Sequence, residues 1–153
     1  MPSPAAPFTR TFQVRWADMD FNAHMKNTAY LDLGPDVRMM FFAEHGFPMK
    51  EFERLRIGPV ILRDELDYYR ELKLLEPVTV DIMLAGLSED NKRFRIRNCF
   101  FREDGQMAAR VTSTGGWLDL DARKLTVPPE SLLQALLAMP RSDDFETLPS
   151  SKR

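Results

Sequence analysis

One stretch of this chain limits its fold more than any other. Residues 27–45 carry Tyr30, Leu31, Leu33, Val37, Met39, Met40, Phe41, Phe42 and Ala43. At helical spacing these cover nearly every side, and a helix that is apolar almost all round is expected to be buried almost all round. Asn27 or Thr28 is a natural N-cap, and Gly46 a natural stop. Gly34-Pro35 lies inside the stretch. The proline lacks an N–H and crowds the carbonyl of Leu31, so a kink or restart is expected there.

A helix this apolar needs a sheet to wrap it, and the flanking segments supply one. Phe8, Arg10, Phe12, Val14 and Trp16 alternate with Thr9, Thr11, Gln13 and Arg15, the period of a half-buried strand. Four more strand-like segments follow the helix. Residues 58–70 set Val60, Leu62, Leu66 and Tyr68 on one parity, and residues 77–87 alternate Val78, Val80, Ile82 and Leu84 with Thr79, Asp81 and Met83. In 92–102, Phe94, Ile96 and Phe100 face away from Arg93, Arg95 and Arg97; residues 106–120 complete the set. Ser88-Glu89-Asp90-Asn91 and Glu103-Asp104-Gly105 read as hairpin turns. Pro128-Pro129-Glu130 opens a short helix with Leu132, Leu133, Leu136 and Leu137.

The order predicts an α+β domain over residues 8–139: a five-stranded antiparallel sheet round one central helix, closed by a short C-terminal helix. Residues 1–7 read as a loose Pro-rich arm, and 140–153 as a disordered polar tail. A sheet of this kind has edges, and long edges are paired or covered, so dimerisation through the sheet is expected.

With 153 residues, 44% hydrophobic and 29% charged, the chain fits a single domain with an ordinary core. A net charge of -2 argues against a nucleic-acid footprint. No apolar run is long enough to span a bilayer, and the N-terminus lacks the basic and apolar regions of a secretory signal. The single cysteine, Cys99, rules out an intramolecular disulfide. Together these point to a cytoplasmic protein without membrane or nucleic-acid partners.

The chemistry is concentrated between the first strand and the helix. Asp18, Asp20, Asn22 and His24 share a parity, so an extended loop would turn them to one side. A carboxylate can act as nucleophile or general base, an imidazole as proton shuttle, and an amide can orient water or substrate. The helix start beyond them offers free N–H groups and a positive dipole end, suited to an oxyanion. These parts suit hydrolysis of an activated acyl group. Asp and Asn before a helix are also ordinary turn and cap residues, and spacing alone does not separate the two readings.

The run Asp18-Met19-Asp20-Phe21-Asn22-Ala23-His24-Met25-Lys26-Asn27-Thr28-Ala29-Tyr30-Leu31 resembles the signature of hotdog-fold acyl thioesterases of the 4-hydroxybenzoyl-CoA thioesterase-like superfamily. Its Asp-x-Asn-x-His form is most similar to the plant acyl-ACP thioesterases. The resemblance covers about residues 8–139, including Gly115-Gly116-Trp117-Leu118-Asp119-Leu120 in the last strand. It implies the hotdog fold and hydrolysis of an acyl-CoA or acyl-ACP thioester. It places the catalytic carboxylate on Asp20, as nucleophile or as base towards water, with Asn22 and His24 in support. Asn27 and Tyr30 fall at the helix entrance that binds the thioester oxygen. No metal or resident cofactor is implied, since coenzyme A or the carrier's phosphopantetheine belongs to the substrate. The implied assembly is a homodimer or homotetramer.

Two departures stand out. Lys26 replaces a common asparagine, where it could meet a coenzyme A phosphate or simply be solvated, and Gly34-Pro35 interrupts a helix that usually runs through. The Arg93, Arg95 and Arg97 stripe reads as a solvated face or a phosphate anchor, Cys99 as a passive thiol, and His45 as a cap. Two other readings compete: a non-catalytic acyl-binding or scaffold protein on the same fold, and a hydratase or dehydratase, which the short Asp20–His24 gap disfavours.

Overall fold

The computed structural model describes residues 7–150. Strand β1 (Thr9–Gln13) leads through a short 3-10 turn at Trp16–Asp18 to helices α1 (Asn27–Glu44) and α2 (Met49–Leu55). Strands β2 (Ile57–Tyr68), β3 (Pro77–Asp81), β4 (Met83–Ser88), β5 (Arg93–Phe101) and β6 (Met107–Asp119) follow. The chain closes with β7 (Lys124–Leu125), α3 (Glu130–Leu137) and β8 (Arg141–Leu148). Apart from Pro7, the arm expected at residues 1–7 lies outside the described residues. Among the described residues no helix is long and apolar enough to cross a membrane.

The sheet curls around α1 as the hotdog fold requires, with eight strands where five were expected. The five expected rows are present. Strand β2 pairs β6, β6 pairs β5, β5 pairs both β3 and β4, and β1 pairs β3, all antiparallel. The extra strands come from a split row and two additions. The expected strand 77–87 divides at Ile82 because Asp81 turns its carboxylate into the ladder. Its Oδ1 accepts the Cys99 N–H at 2.6 Å, while Asn98 Nδ2 donates to the Asp81 carbonyl at 2.8 Å. Side chains competing for backbone groups break ladders in this way. The two-residue β7 extends β6.

The tail expected to be disordered from Pro140 onward instead forms β8, parallel to β4. Leu148 is buried over Gly86, where a Cβ would lie 2.8 Å from the leucine Cδ2. Asp144 accepts from Arg97 at 2.7 Å, Glu146 pairs with Arg95, and Arg93 donates to the Pro149 carbonyl at 3.1 Å. The arginine stripe is thus neither a bare solvated face nor a free phosphate anchor; it holds the C-terminal strand.

Helix α1 corrects three expectations. Its N-cap is Lys26, with extended backbone and no side-chain cap, so Asn27 and Thr28 are already helical. It runs through Pro35 without a break. The proline sits on the exposed face, where the carbonyl it frees can be hydrated, and Gly34 faces the sheet, where a Cβ would come 3.0 Å from Asn98 Oδ1. The helix is also not buried all round. Val37, Phe41 and Phe42 face the core, while Asp32, Pro35, Asp36 and Ala43 are exposed. Arg38 is buried, and its Nε has no hydrogen-bond partner among the described residues. The expected stop holds: the N–H of His45 reaches the carbonyls of Phe41 and Phe42, and Gly46 takes φ +88°.

In β2 the expected common face of Val60, Leu62, Leu66 and Tyr68 is broken by a bulge between Ile61 and Arg63. Leu62 is 59% exposed as a result. The inner face of β5 is as expected, with Phe94, Ile96 and Phe100 fully buried against the helix layer.

Candidate active site

The loop between β1 and α1 is pinned before it is functional. Asp18 is buried and accepts the Arg15 N–H at 2.8 Å and its guanidinium at 2.8 and 3.1 Å. That guanidinium holds the Asp18 carboxyl below the usual carboxylate range. The Lys26 N–H donates to the Asp18 carbonyl at 2.8 Å, closing the loop beneath the helix start.

Residues 20–24 are not extended. Met19 bridges to Met25, the Asp20 N–H donates to the His24 carbonyl at 2.9 Å, and Ala23 takes φ +64°. Asp20 Oδ1 accepts the N–H groups of Asn22 at 2.8 Å and His24 at 3.2 Å. The one-sided alignment of Asp20, Asn22 and His24 therefore fails, because an Asp that bonds the backbone two residues on makes a turn. Asp20 and His24 still come together at a cavity wall. Asn22 is exposed and lines neither cavity beside Asp20.

The first cavity, about 450 Å³, is lined by Asp20, His24, Met25, Asn27, Tyr30, Tyr68, Tyr69, Arg70 and Glu71. The second, about 860 Å³, is lined by Trp16, Met19, Asp20, Phe21, Ala23, His24, Glu71, Lys73 and Leu74. Asp20, His24 and Glu71 belong to both and form the wall between them. Lys26 lines neither, so its side chain has no place at this wall.

Four of the wall and lining residues escaped the sequence reading. Tyr68, Tyr69, Arg70 and Glu71 arrive from the end of β2, and the Met25 N–H ties the two segments by donating to the Leu72 carbonyl at 2.8 Å. Glu71 Oε2 lies 2.5 Å from His24 Nε2. The one signal for them was a pair of tyrosines followed by Arg-Glu at a strand end. Tyr30 is buried, edge-on to Phe100 at 5.1 Å and Tyr68 at 5.8 Å. Burial pushes its phenol up to about 12, so it stays a hydrogen-bond donor at neutral pH.

Helix α1 opens onto this wall. It has no side-chain cap and no acidic residue in its first turn, so its leading N–H groups and positive dipole end are left for a ligand oxygen. Cys99 is buried on the far face of β5, and burial pushes its thiol up to about 12, which leaves it unreactive. His45 Nδ1 lies 2.8 Å from the Phe41 carbonyl at the end of α1. Among the described residues no group of three or more His, Cys, Asp or Glu is arranged to hold a metal ion.

A family model described as the thioesterase-like superfamily matches residues 14–136. The chain belongs to that superfamily. Membership places it among thioester hydrolases, and the shape agrees. Protein SAV2348 of Staphylococcus aureus, solved in complex with CoA, superposes with a TM-score of 0.80 at 24% identity, over 100% of this chain and 92% of that one. Slr0204 of Synechocystis, a 1,4-dihydroxy-2-naphthoyl-CoA thioesterase, gives 0.76 at 16% identity over 86% and 96%. YbaW of Escherichia coli, a probable thioesterase, gives 0.74 at 21% identity over 88% and 99%. No curated protein sequence matches the chain.

Proposed function

We propose that this thioesterase-superfamily chain hydrolyses acyl-CoA thioesters with Asp20 as the reacting carboxylate. One observation carries the reading: Asp20 stands in the wall between two cavities, beside an uncapped helix start. A thioester has two arms meeting at one carbonyl, and a shared wall between two cavities suits that shape. With the carbonyl oxygen at the first N–H groups of α1, negative charge developing on it is stabilised. Both hydrogen bonds to Asp20 fall on Oδ1, which leaves Oδ2 as the oxygen to react. It attacks the carbonyl carbon to give an anhydride that water cleaves, or it draws a proton from a water that attacks. Either route ends in free acid and thiol. The thiolate is a good leaving group, so the site needs no strong general acid, and coenzyme A is part of the substrate. His24 is held by Glu71 against the same wall and orients the reacting groups. Asn22 is left as a turn residue, and Lys26 as a backbone cap.

The reading includes a homodimer. Strand β2 pairs only with β6 among the described strands, which leaves twelve residues with an open edge. Antiparallel pairing of this edge with that of a second copy would cover it.

The test is a thiol-release assay across short, long and aromatic acyl-CoAs with Asp20→Asn alongside. The variant should fold normally and lose turnover. Near-normal turnover by Asp20→Asn would refute the mechanism. Acyl-CoA binding without any thiol release would instead make the chain an acyl-binding protein.

A further inference from the structure

The end of β2 breaks the alternation of a strand. In an extended strand successive side chains point to opposite faces, so only every second residue should reach one cavity. Yet Tyr68, Tyr69, Arg70 and Glu71 all line the first cavity. The cause lies in the backbone: the N–H groups of Tyr69 and Arg70 both donate to the Ala108 carbonyl, at 2.8 and 2.9 Å. Two residues thus stand against one, as in a β-bulge, and a bulge re-aims side chains. The cavity gains two phenols and a guanidinium by it.

The charge of Arg70 is unspent. Arg102 and Arg110, also at this end of the sheet, are paired with Glu76, Asp104 and Asp67, and Glu71 is paired with His24. Arg70 has no ion-pair partner among the described residues. Its guanidinium offers five donors and no acceptor, in a fork that matches a carboxylate. Desolvation and the charge of Asp20 push the Tyr68 phenol up, so it donates as well. A space of this volume is about 10 Å across. The pyrophosphate of coenzyme A lies a whole pantetheine arm from the thioester sulfur, beyond the reach of such a cavity. The second cavity is the larger, and its Trp16 and Phe21 are almost wholly exposed. It therefore leads outward, as an arm that ends in a nucleotide requires.

We infer that the first cavity takes the acyl arm of a dicarboxylic acyl thioester, its distal carboxylate held by Arg70 and the phenols of Tyr68 and Tyr69. The inference rests on the hydrolase reading, with the thioester carbonyl at Asp20. Asp20 and Glu71 stand at the wall, so a second anion must keep clear of them. A carboxylate several carbons from the carbonyl does so and still meets Arg70. Glutaryl and adipyl groups are therefore preferred to malonyl, whose charge would lie beside Asp20. The pantetheine arm then occupies the second cavity.

The experiment measures thiol release by the full-length protein from glutaryl- and hexanoyl-pantetheine, which carry no phosphate. Wild type should favour the glutaryl thioester in kcat/KM by on the order of tenfold to a hundredfold, the effect of hydrogen bonds to a charged group. No preference, or the reverse one, overturns the inference before any variant is made. Arg70→Gln should abolish the preference and Tyr69→Phe should reduce it. The ratio of two substrates on one protein cancels any loss of folded enzyme. A preference that survives Arg70→Gln overturns the assignment. The same ratios should hold for the CoA thioesters. If Arg70→Gln instead slows every CoA thioester alike and spares the pantetheine thioesters, Arg70 meets a phosphate and the inference falls. Binding of the carboxybutyl and hexyl thioethers of pantetheine, which cannot be hydrolysed, separates the two readings. If no thioester is hydrolysed but the carboxybutyl thioether binds more tightly and Arg70→Gln removes the difference, the hydrolase reading fails and the carboxylate site stands. If thioesters are hydrolysed without regard to the carboxylate, the carboxylate site fails alone.

Discussion

Asp81 offers a sharp test of how the sheet is built. It is 8% exposed, at the point where β3 gives way to β4, and burial pushes its carboxyl from an ordinary 3.8 up to about 6. The N–H of Cys99 and the charge of Arg97 oppose that rise without cancelling it. The folded state therefore holds the proton to higher pH than the unfolded chain does. Its contribution to stability is fully present below about pH 4 and is lost as pH rises through about 6. Each tenfold change in proton affinity is worth about 1.4 kcal/mol, so the ionised carboxylate costs about 3 kcal/mol at neutral pH. Asp81→Asn keeps an oxygen for the Cys99 N–H and removes the charge. Urea unfolding of both proteins at intervals from pH 4.5 to 8 is the measurement. Relative to wild type, the variant should gain about 2 kcal/mol across that range, mostly between pH 4.5 and 6, with the two profiles running parallel only above pH 7. Any constant cost of the amide cancels in the slope. Parallel pH profiles for the two proteins would show that Asp81 is not desolvated as described.

The two remaining expectations concern edges. Leu62→Lys changes a side chain that is 59% exposed, so its cost to the protomer should stay within about 0.5 kcal/mol. At the β2 edge it should convert the proposed dimer to monomer in sedimentation velocity, and a variant whose assembly matches wild type would refute the β2 interface. Ending the chain after Pro140 removes Leu148 from over Gly86 and frees the β4 edge, which should cost about 2 kcal/mol in urea unfolding and promote aggregation; an unchanged unfolding midpoint would mean β8 adds nothing.

What could be read from the sequence was what depends on near neighbours. The central helix shows in its spacing because every residue that packs it repeats within a turn or two. The arginine stripe of β5 and its apolar opposite face show in a period of two. Each miss involves a group whose partner lies far along the chain. Residues 141–148 look like a polar tail because Asp144 and Glu146 are read without Arg97 and Arg95, which neutralise them, and Leu148 is read without Gly86, which makes room for it. The loop at Asp20 failed for a different reason. Parity placed Asp18, Asp20, Asn22 and His24 on one side, but it presumes an extended backbone. Asp18 is spent on Arg15, and Asp20 binds the N–H groups of Asn22 and His24, which curls the segment and turns Asn22 out. The same curl brings His24 to Glu71, a contact made possible by the Met25 to Leu72 hydrogen bond. The carboxylate proposed to react also builds the turn, and the imidazole beside it is held by the end of β2 rather than by its neighbours in sequence.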